Sequence, residues 1–388
     1  MVALKPNVRP ARAHFSSGPC AKRPGYSLDN LMSALQGQSH RSAAGKARLR
    51  LALDKTRSVL QAPSEYLIGM MAGSDTGAFE AAMWSLLGPR RVDVLAWESF
   101  GRDWITDAVM ELKLPGTRVM DAPYGELPDL SKVDFRNDVI FTWNGTAAGV
   151  RVPNGDWIAA DREGLTLCDA TSAAFAQPLD WAKLDVVTYS WQKVLGGEAQ
   201  HGMLILSPRA VERLESFTPA WPIPKLFRLT KKGKVAKEIF EGSTINTPSM
   251  LCLEDYLDAL DWAESIGGLE ALHARCNANF MALEHWVQRS PWADFLASDP
   301  ETRSNTSVTL KIVDPDVVRH QAEADVAAQI AAVLEKEGVA FDIAAYRDAP
   351  PGLRIWAGAT IDTVDLEALT PWLDWAFAQA KANLAMAA

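Results

Sequence analysis

The sequence predicts an α/β protein, with a large domain built on a mostly parallel sheet covered by helices and a smaller C-terminal α+β domain. Three observations carry this reading. Short apolar runs alternate with helical stretches through most of the chain, the pattern of parallel strands joined by helical crossovers. Two long helical patterns over 251–289, broken at Gly267-Gly268, then lead out of the alternating region. A length of 388 residues is two to three times the ~150-residue prior for one domain. We therefore expect domains at 1–260 and 261–388, with the irregular, Pro-containing segment 1–24 grouped with the first.

Taken in order, 45–60 has helical composition and spacing. The loop Gly73-Ser74-Asp75-Thr76-Gly77 leads into a helix over 78–87. The runs 92–97, 138–143, 165–169, 186–190 and 203–206 are short and apolar, as in strands buried on both faces. Beyond the long helical pair, 307–313 reads as a strand, 325–337 as a helix, 339–346 and 353–356 as strands, and 366–384 as a closing helix. There is no internal repeat, and an Ala-rich C-terminal stretch reads as a helix end.

Composition narrows the function classes. A hydrophobic share of 48% with 22% charged residues is that of an ordinary globular protein, and a net charge of −9 argues against a general nucleic-acid binder. Cys20, Cys168, Cys252 and Cys276 are widely spaced, as expected of free, buried thiols in a reducing cytoplasm. The opening residues lack the apolar core of a secretory signal, and no run approaches the ~20 residues of a membrane span. A cytoplasmic protein without membrane or nucleic-acid partners is expected. His14, His201, His273, His285 and His320 show no metal-ligand spacing, so no catalytic metal is expected. The 14 tryptophans read as core and interface packing rather than as a stacking platform for sugars or bases.

The most informative segment is the run 186–197, where a strand ends in Gln192-Lys193 ahead of Gly196-Gly197. A lysine held at a strand end and desolvated is nucleophilic enough to form a Schiff base, although alone it is more simply a surface lysine. Asp169 ends the preceding strand. There it can hold the protonated ring nitrogen of pyridoxal phosphate, or equally cap the following Ala-Thr-Ser-Ala run as a helix. The Gly73 to Gly77 loop offers backbone N–H groups to an anion such as the cofactor phosphate, or is simply a helix entry. Phe100, after the next strand, can stack on a ring or serve as core. In Gly352-Leu353-Arg354-Ile355-Trp356, alternation puts Arg354 on the face opposite Leu353 and Ile355, free to clamp a carboxylate or to form a structural ion pair.

The order of anion loop, aromatic, Asn144-Gly145-Thr146, strand-end Asp169 and Gln192-Lys193 resembles the fold-type I, class V pyridoxal-phosphate enzymes. Within them the phosphoserine aminotransferase family is most alike, through Phe15-Ser16-Ser17-Gly18-Pro19, Ser39-His40-Arg41 and Asn246-Thr247-Pro248. The likeness spans about 15–356. It implies a transamination between glutamate/2-oxoglutarate and 3-phosphohydroxypyruvate/O-phospho-L-serine in serine biosynthesis, with an extension to pyridoxine biosynthesis. It also implies that Lys193 carries pyridoxal 5'-phosphate and acts as acid and base, with Asp169 on the ring nitrogen. Asp75, Thr76 and Gln192 would bind the cofactor phosphate, Thr146 would lie near the ring hydroxyl, and Phe100 would stack on the ring. Asn246 and Thr247 would reach the cofactor of a neighbouring subunit in a homodimer with shared active sites. His40, Arg41, Arg347 and Arg354 would bind substrate, with Arg354 on the α-carboxylate.

Two positions depart from the family's commoner pattern. Phe100 stands where tryptophan is usual, and Arg347-Asp348 replaces a His-Arg pair that helps hold the substrate phosphate. The basic run Lys231-Lys232-Gly233-Lys234 reads as a solvated patch. The rival readings are a serine–glyoxylate or alanine–glyoxylate type of class V aminotransferase, which needs no phosphate pocket, and a ligand-binding α/β protein without catalysis.

Overall fold

The structure, a computed structural model, describes residues 4–387. In chain order it begins with α1 (Ala43–Leu60), β1 (Leu67–Ala72), α2 (Ser74–Leu86), β2 (Val92–Ala96), α3 (Ser99–Thr106), β3 (Arg118–Asp121) and β4 (Asp138–Thr142). A short ribbon, β5 (Asn144–Gly145) and β6 (Val150–Arg151), precedes β7 (Thr166–Asp169), β8 (Val186–Ser190), β9 (His201–Leu206) and α4 (Pro208–Ser216). A second ribbon, β10 (Thr230–Lys231) and β11 (Lys234–Val235), leads to α5 (Met250–Ser265). Seven of these strands form one sheet in the order β1-β9-β8-β7-β4-β2-β3. Pairing from β3 through β8 is parallel, whereas β9 runs antiparallel to both β8 and β1.

The period-2 alternation of a strand explains why these runs are apolar throughout: each face meets its own buried cluster. Val139, Phe141, Val187 and Tyr189 join Leu53 of α1 and Leu253 of α5 on one side. Ile140, Val186, Leu204 and Leu206 join Phe79 and Met83 of α2 and Leu214 of α4 on the other. Each such side chain taken out of water contributes about 1.5–3 kcal/mol.

The C-terminal part holds α6 (Gly268–Val287), β12 (Ala293–Phe295), β13 (Ser307–Ile312), α7 (Pro315–Arg319), α8 (Glu323–Lys336), β14 (Gly352–Trp356) and α9 (Thr363–Ala387). Its antiparallel sheet runs β12-β13-β14. The N-terminal segment lies along it: Phe341 N–H donates to the Ala13 carbonyl at 2.9 Å, and Trp356 N–H to that of Phe15 at 3.0 Å. We propose the division near 260 with this in view, the segment before 24 being a strap that leads from the second sheet to the cavity described below.

Three expectations are corrected. The helix expected from 78 begins at Ser74, with Gly73 as its N-cap at φ 87°, so Asp75 and Thr76 lie in its first turn rather than in a loop. Gly77 permits this, because a Cβ there would sit 2.0 Å from the Ala72 carbonyl oxygen. The strand expected over 339–346 is irregular: Asp342 takes a left-handed φ of 55°, and the segment makes only isolated bridges at Phe341 to His14 and Ala344 to Leu353. Residues after Asp169 form turns rather than a helix, and Phe100 lies on α3. The strand β1 went unpredicted because its sequence, Leu-Ile-Gly-Met-Met-Ala, has a central glycine and few β-branched residues.

Candidate active site

Ligands of open α/β sheets bind beyond the carboxyl ends of the parallel strands. There, β4 ends in Thr142, β7 in Asp169 and β8 in Ser190, three neighbouring strands that open onto a cavity of about 380 Å³. Lys193, Asp169, Asp75, Thr76, Phe100, Thr146 and Gln192 all line it.

Lys193 follows β8 after Trp191, which anchors the turn by stacking on Tyr256 at 4.3 Å. Its Nζ donates to the Ser17 carbonyl at 2.6 Å. Burial lowers its basicity, with the nearby Arg354 charge adding to the effect while Cys20, Asp169 and Glu98 oppose it. Close packing by Gly18 holds the side chain, since a Cβ at that position would lie 2.5 Å from Nζ.

Asp169 is buried. Its Oδ1 accepts from the Thr171 N–H at 2.9 Å and its Oδ2 from the Trp104 indole at 3.2 Å. Burial raises this carboxyl above its ordinary range, and the Thr171 and Trp104 donors counter that. It forms no ion pair among the described residues. A cation-free carboxylate beside a lysine is chemically suited to a protonated ring nitrogen.

The first turn of α2 closes the other end. Gly73 offers no side-chain cap, and the Asp75 N–H donates to Ser190 Oγ at 2.8 Å, which in turn bonds Ser74 Oγ at 2.5 Å. Gln192 reaches Ser74 Oγ at 3.4 Å. Exposed Thr76, with Ser74 and Gln192, therefore presents hydroxyl and amide donors at a helix N-terminus, where an anion is favoured. Asp75, expected at the phosphate, lies in the same turn with its carboxyl buried and its N–H on Ser190 Oγ. These features fit pyridoxal phosphate, with the helix N-terminus for the phosphate, Lys193 for the aldehyde carbon, and Asp169 for the ring nitrogen.

The walls come from α3 and the ribbon. Phe100 faces Tyr346 at 5.2 Å between ring centroids, and Trp104 packs on Phe79 at 4.5 Å. Glu98 caps α3 and, through its other oxygen, accepts from the Ala147 N–H at 3.2 Å; burial pushes its carboxyl up to about 7. Thr146 Oγ1 donates to Ser172 Oγ at 2.8 Å, which ties the ribbon to the turn after Asp169. Glu80, Asp103 and Asp107 line the mouth, and burial with the neighbouring Glu80, Asp103 and Glu111 pushes Asp107 up to about 7.

The remaining expected residues lie outside the cavity lining. Arg354 is adjacent, its guanidinium 5.4 Å from the Tyr346 ring centroid, with a buried Nε lacking any partner and no ion pair among the described residues. Arg347 and Asp348 are exposed and pair with each other at 3.3 Å, although Arg347 also lies over Tyr346 at 5.6 Å. His40 is buried ahead of α1 with its Nε2 unpartnered, and burial lowers its basicity; Arg41 is exposed. Asn246 and Thr247 sit on the loop before α5. Sequence reasoning missed Trp104, Glu98 and Tyr346. The four-residue spacing of Phe100 and Trp104, one helical face, was the available signal.

The model of the family Aminotransferase class-V matches residues 131–341. The phosphoserine aminotransferase of Methanosarcina mazei is 59% identical over 374 residues, 96% of this chain and 99% of the relative. Among solved structures, a phosphoserine aminotransferase of Cytophaga hutchinsonii superposes with a TM-score of 0.80 at 19% identity, covering 94% of this chain and 98% of that one. An alanine–glyoxylate aminotransferase of Nostoc sp. superposes with a TM-score of 0.77 at 19% identity, covering 96% and 97%, so the fold alone does not separate these activities. The chain belongs to the class V aminotransferases and, within them, to the phosphoserine aminotransferase family.

Proposed function

We propose that this chain transfers an amino group between glutamate/2-oxoglutarate and 3-phosphohydroxypyruvate/O-phospho-L-serine, a step of serine biosynthesis, with pyridoxal 5'-phosphate bound at Lys193. The observation that carries this reading is the convergence of a lysine, a cation-free buried carboxylate and a helix N-terminus on one cavity, in a chain 59% identical to a phosphoserine aminotransferase. When bound, the cofactor supplies an aldehyde carbon that takes the amino group and a ring that withdraws electrons from the substrate Cα.

The chain's own residues supply the rest. Lys193 Nζ, less basic than a solvated lysine, serves as the base that takes the proton from the substrate Cα and returns it on the other side of the exchange. Asp169 keeps the ring nitrogen protonated. Thr76 and Gln192 hold the phosphate, Thr146 faces the ring hydroxyl and Phe100 covers the ring. Arg354, lacking a carboxylate of its own, clamps the α-carboxylate of each substrate in turn. Arg347 supplies charge for the distal anion.

Asn246, Thr247, His40 and Arg41 do not line the cavity of their own chain, and we assign them to the site of a second copy in a homodimer. Action on other phosphorylated oxoacids, as in pyridoxine biosynthesis, and a cytoplasmic location belong to the same proposal. No helix among the described residues is long and apolar enough to cross a membrane. The exposed Arg347-Asp348 pair and the acidic mouth favour keeping one rival, a glyoxylate-type aminotransferase. The test compares phosphoserine with serine as amino donor. A preference for phosphoserine is expected, and a preference for serine moves the assignment to the rival.

A further inference from the structure

A buried chain of amides and hydroxyls runs from the C-terminal part of the protein to the cavity wall. Asn144, Thr146, Ser172, Gln177 and Asn305 are all buried. Their direction is fixed at one end by the Ala176 carbonyl, which can only accept. The Asn305 side chain meets that carbonyl at 3.1 Å, so it turns its Nδ2 there and its Oδ1 toward Gln177 at 2.9 Å. Gln177 must then present its Nε2, which also donates to Asn144 Oδ1 at 3.0 Å. That leaves Asn144 Nδ2 to donate to Ser172 Oγ at 2.8 Å. Ser172 in turn donates to the Asn144 carbonyl at 3.0 Å and accepts from Thr146 Oγ1 at 2.8 Å.

The opposite polarity at the last step is disfavoured. A hydroxyl has one hydrogen. Were Ser172 to give its own to Thr146, the Thr146 hydrogen would have no acceptor among the described residues and would stay unpaired in a buried place. In the order given, both hydrogens of each amide, Asn305, Gln177 and Asn144, find acceptors. The backbone is held too: Ser307 Oγ of β13 donates to the Thr146 carbonyl, and Thr306 Oγ1 to that of Ser172 at 2.9 Å. Thr146, which lines the cavity, therefore turns only lone pairs toward it.

We propose that Ser172 is a positioning residue: it takes the hydrogen of Thr146, so that Thr146 meets the cofactor's ring oxygen as a hydrogen-bond acceptor and favours the form in which that oxygen holds or shares a proton. The inference rests on the reading that Thr146 faces the ring hydroxyl. An acceptor beside the oxygen disfavours its anionic form, because lone pairs repel the charge, and a donor acts the other way. Glu98, which accepts from the neighbouring Ala147 N–H, Asp169, Lys193 and Arg354 face the same part of the site, with Asp75 and the acidic mouth beyond. Replacements at 146 and 172 leave all of these in place, so a difference between variant and parent reads the state of Thr146.

The test uses the full-length protein loaded with pyridoxal phosphate. The pH dependence of its visible absorbance gives the midpoint at which the bound cofactor loses its proton. Thr146→Val keeps the shape and removes the acceptor, and should lower that midpoint by roughly half to one pH unit, the size of one hydrogen bond. Ser172→Ala frees the Thr146 hydrogen to turn into the cavity and should lower it at least as far, whereas the double variant should match Thr146→Val alone. A midpoint that rises in Thr146→Val means a donor stood there and overturns the proposal, as does an unmoved midpoint in a folded Ser172→Ala. Neutron diffraction from a deuterated crystal of the loaded parent decides the polarity without any variant, and so also where Ser172→Ala does not fold. Deuterium on Thr146 Oγ1 directed at Ser172 Oγ is expected, and deuterium directed into the cavity refutes the proposal. If the deuterium lies as expected but Thr146→Val leaves the midpoint unmoved, or if the parent takes up no pyridoxal phosphate, the reading of the cofactor contact has failed and the proposal falls with it, while the polarity of the chain stands.

Discussion

Replacing Trp104 by phenylalanine isolates one hydrogen bond at the centre of the site. The indole Nε1–H donates to Asp169 Oδ2 at 3.2 Å in a buried setting, and the ring packs on Phe79 at 4.5 Å between centroids. Phenylalanine keeps most of the packing and removes the donor. A hydrogen bond to an ionised group contributes about 1.5–3 kcal/mol. At about 1.4 kcal/mol per factor of ten, cofactor should be released roughly 10- to 100-fold faster. Stopped-flow loss of cofactor absorbance against a trap for free pyridoxal phosphate gives that rate, and urea unfolding of the same protein gives the stability. A Trp104→Phe protein that folds like the parent and releases cofactor at the parental rate would refute the assignment of Asp169 to the ring nitrogen.

Other residues give further tests. Arg354→Lys loses the two-pronged carboxylate contact, so KM for amino donor and oxoacid should rise together by roughly 10- to 100-fold, and steady-state kinetics with both substrates will show whether only one responds. Gly18→Ala places a Cβ 2.5 Å from Lys193 Nζ at a backbone φ of 155° that side chains rarely adopt; we expect kcat per folded molecule to fall about tenfold or more with a stability loss of about 1–3 kcal/mol, and unchanged kcat would mean that Lys193 is not held there. Asp185 is 1% exposed, receives Arg162 at 3.1 Å and Arg209 at 2.9 Å, and lies outside the cavity lining. Asp185→Asn should cost about 3–5 kcal/mol in urea unfolding while leaving cofactor absorbance per folded molecule unchanged.

How much of this was legible in the sequence depends on how local the cause was. Strand β8 matches the expected run 186–190 because both faces of a central parallel strand are buried, and its residues say so alone. Helix α1 follows from its spacing over 45–60, and the structure starts it at Ala43 because the Ser42 hydroxyl caps it. Non-local causes were invisible. Strand β1 exists because β9 pairs along its whole length, and 339–346 is irregular because its backbone bonds are divided between the N-terminal strap and β14. At the site, residue types at strand ends were readable. The orientation of Asp75 was not, since it turns on the helix starting one turn earlier than its composition indicates. Arg354 was readable from alternation, and its lack of an ion pair came only from the structure.

The central claim is that Lys193 and the cavity around it perform amino transfer on a phosphorylated substrate. Mixing the cofactor-loaded protein with O-phospho-L-serine, without an oxoacid, tests it in one step. The visible absorbance of the bound cofactor should fall on mixing and return when 2-oxoglutarate is added, faster with phosphoserine than with serine, and Lys193→Ala should show neither change. An unaltered spectrum with phosphoserine, or the same response in Lys193→Ala, would contradict the account.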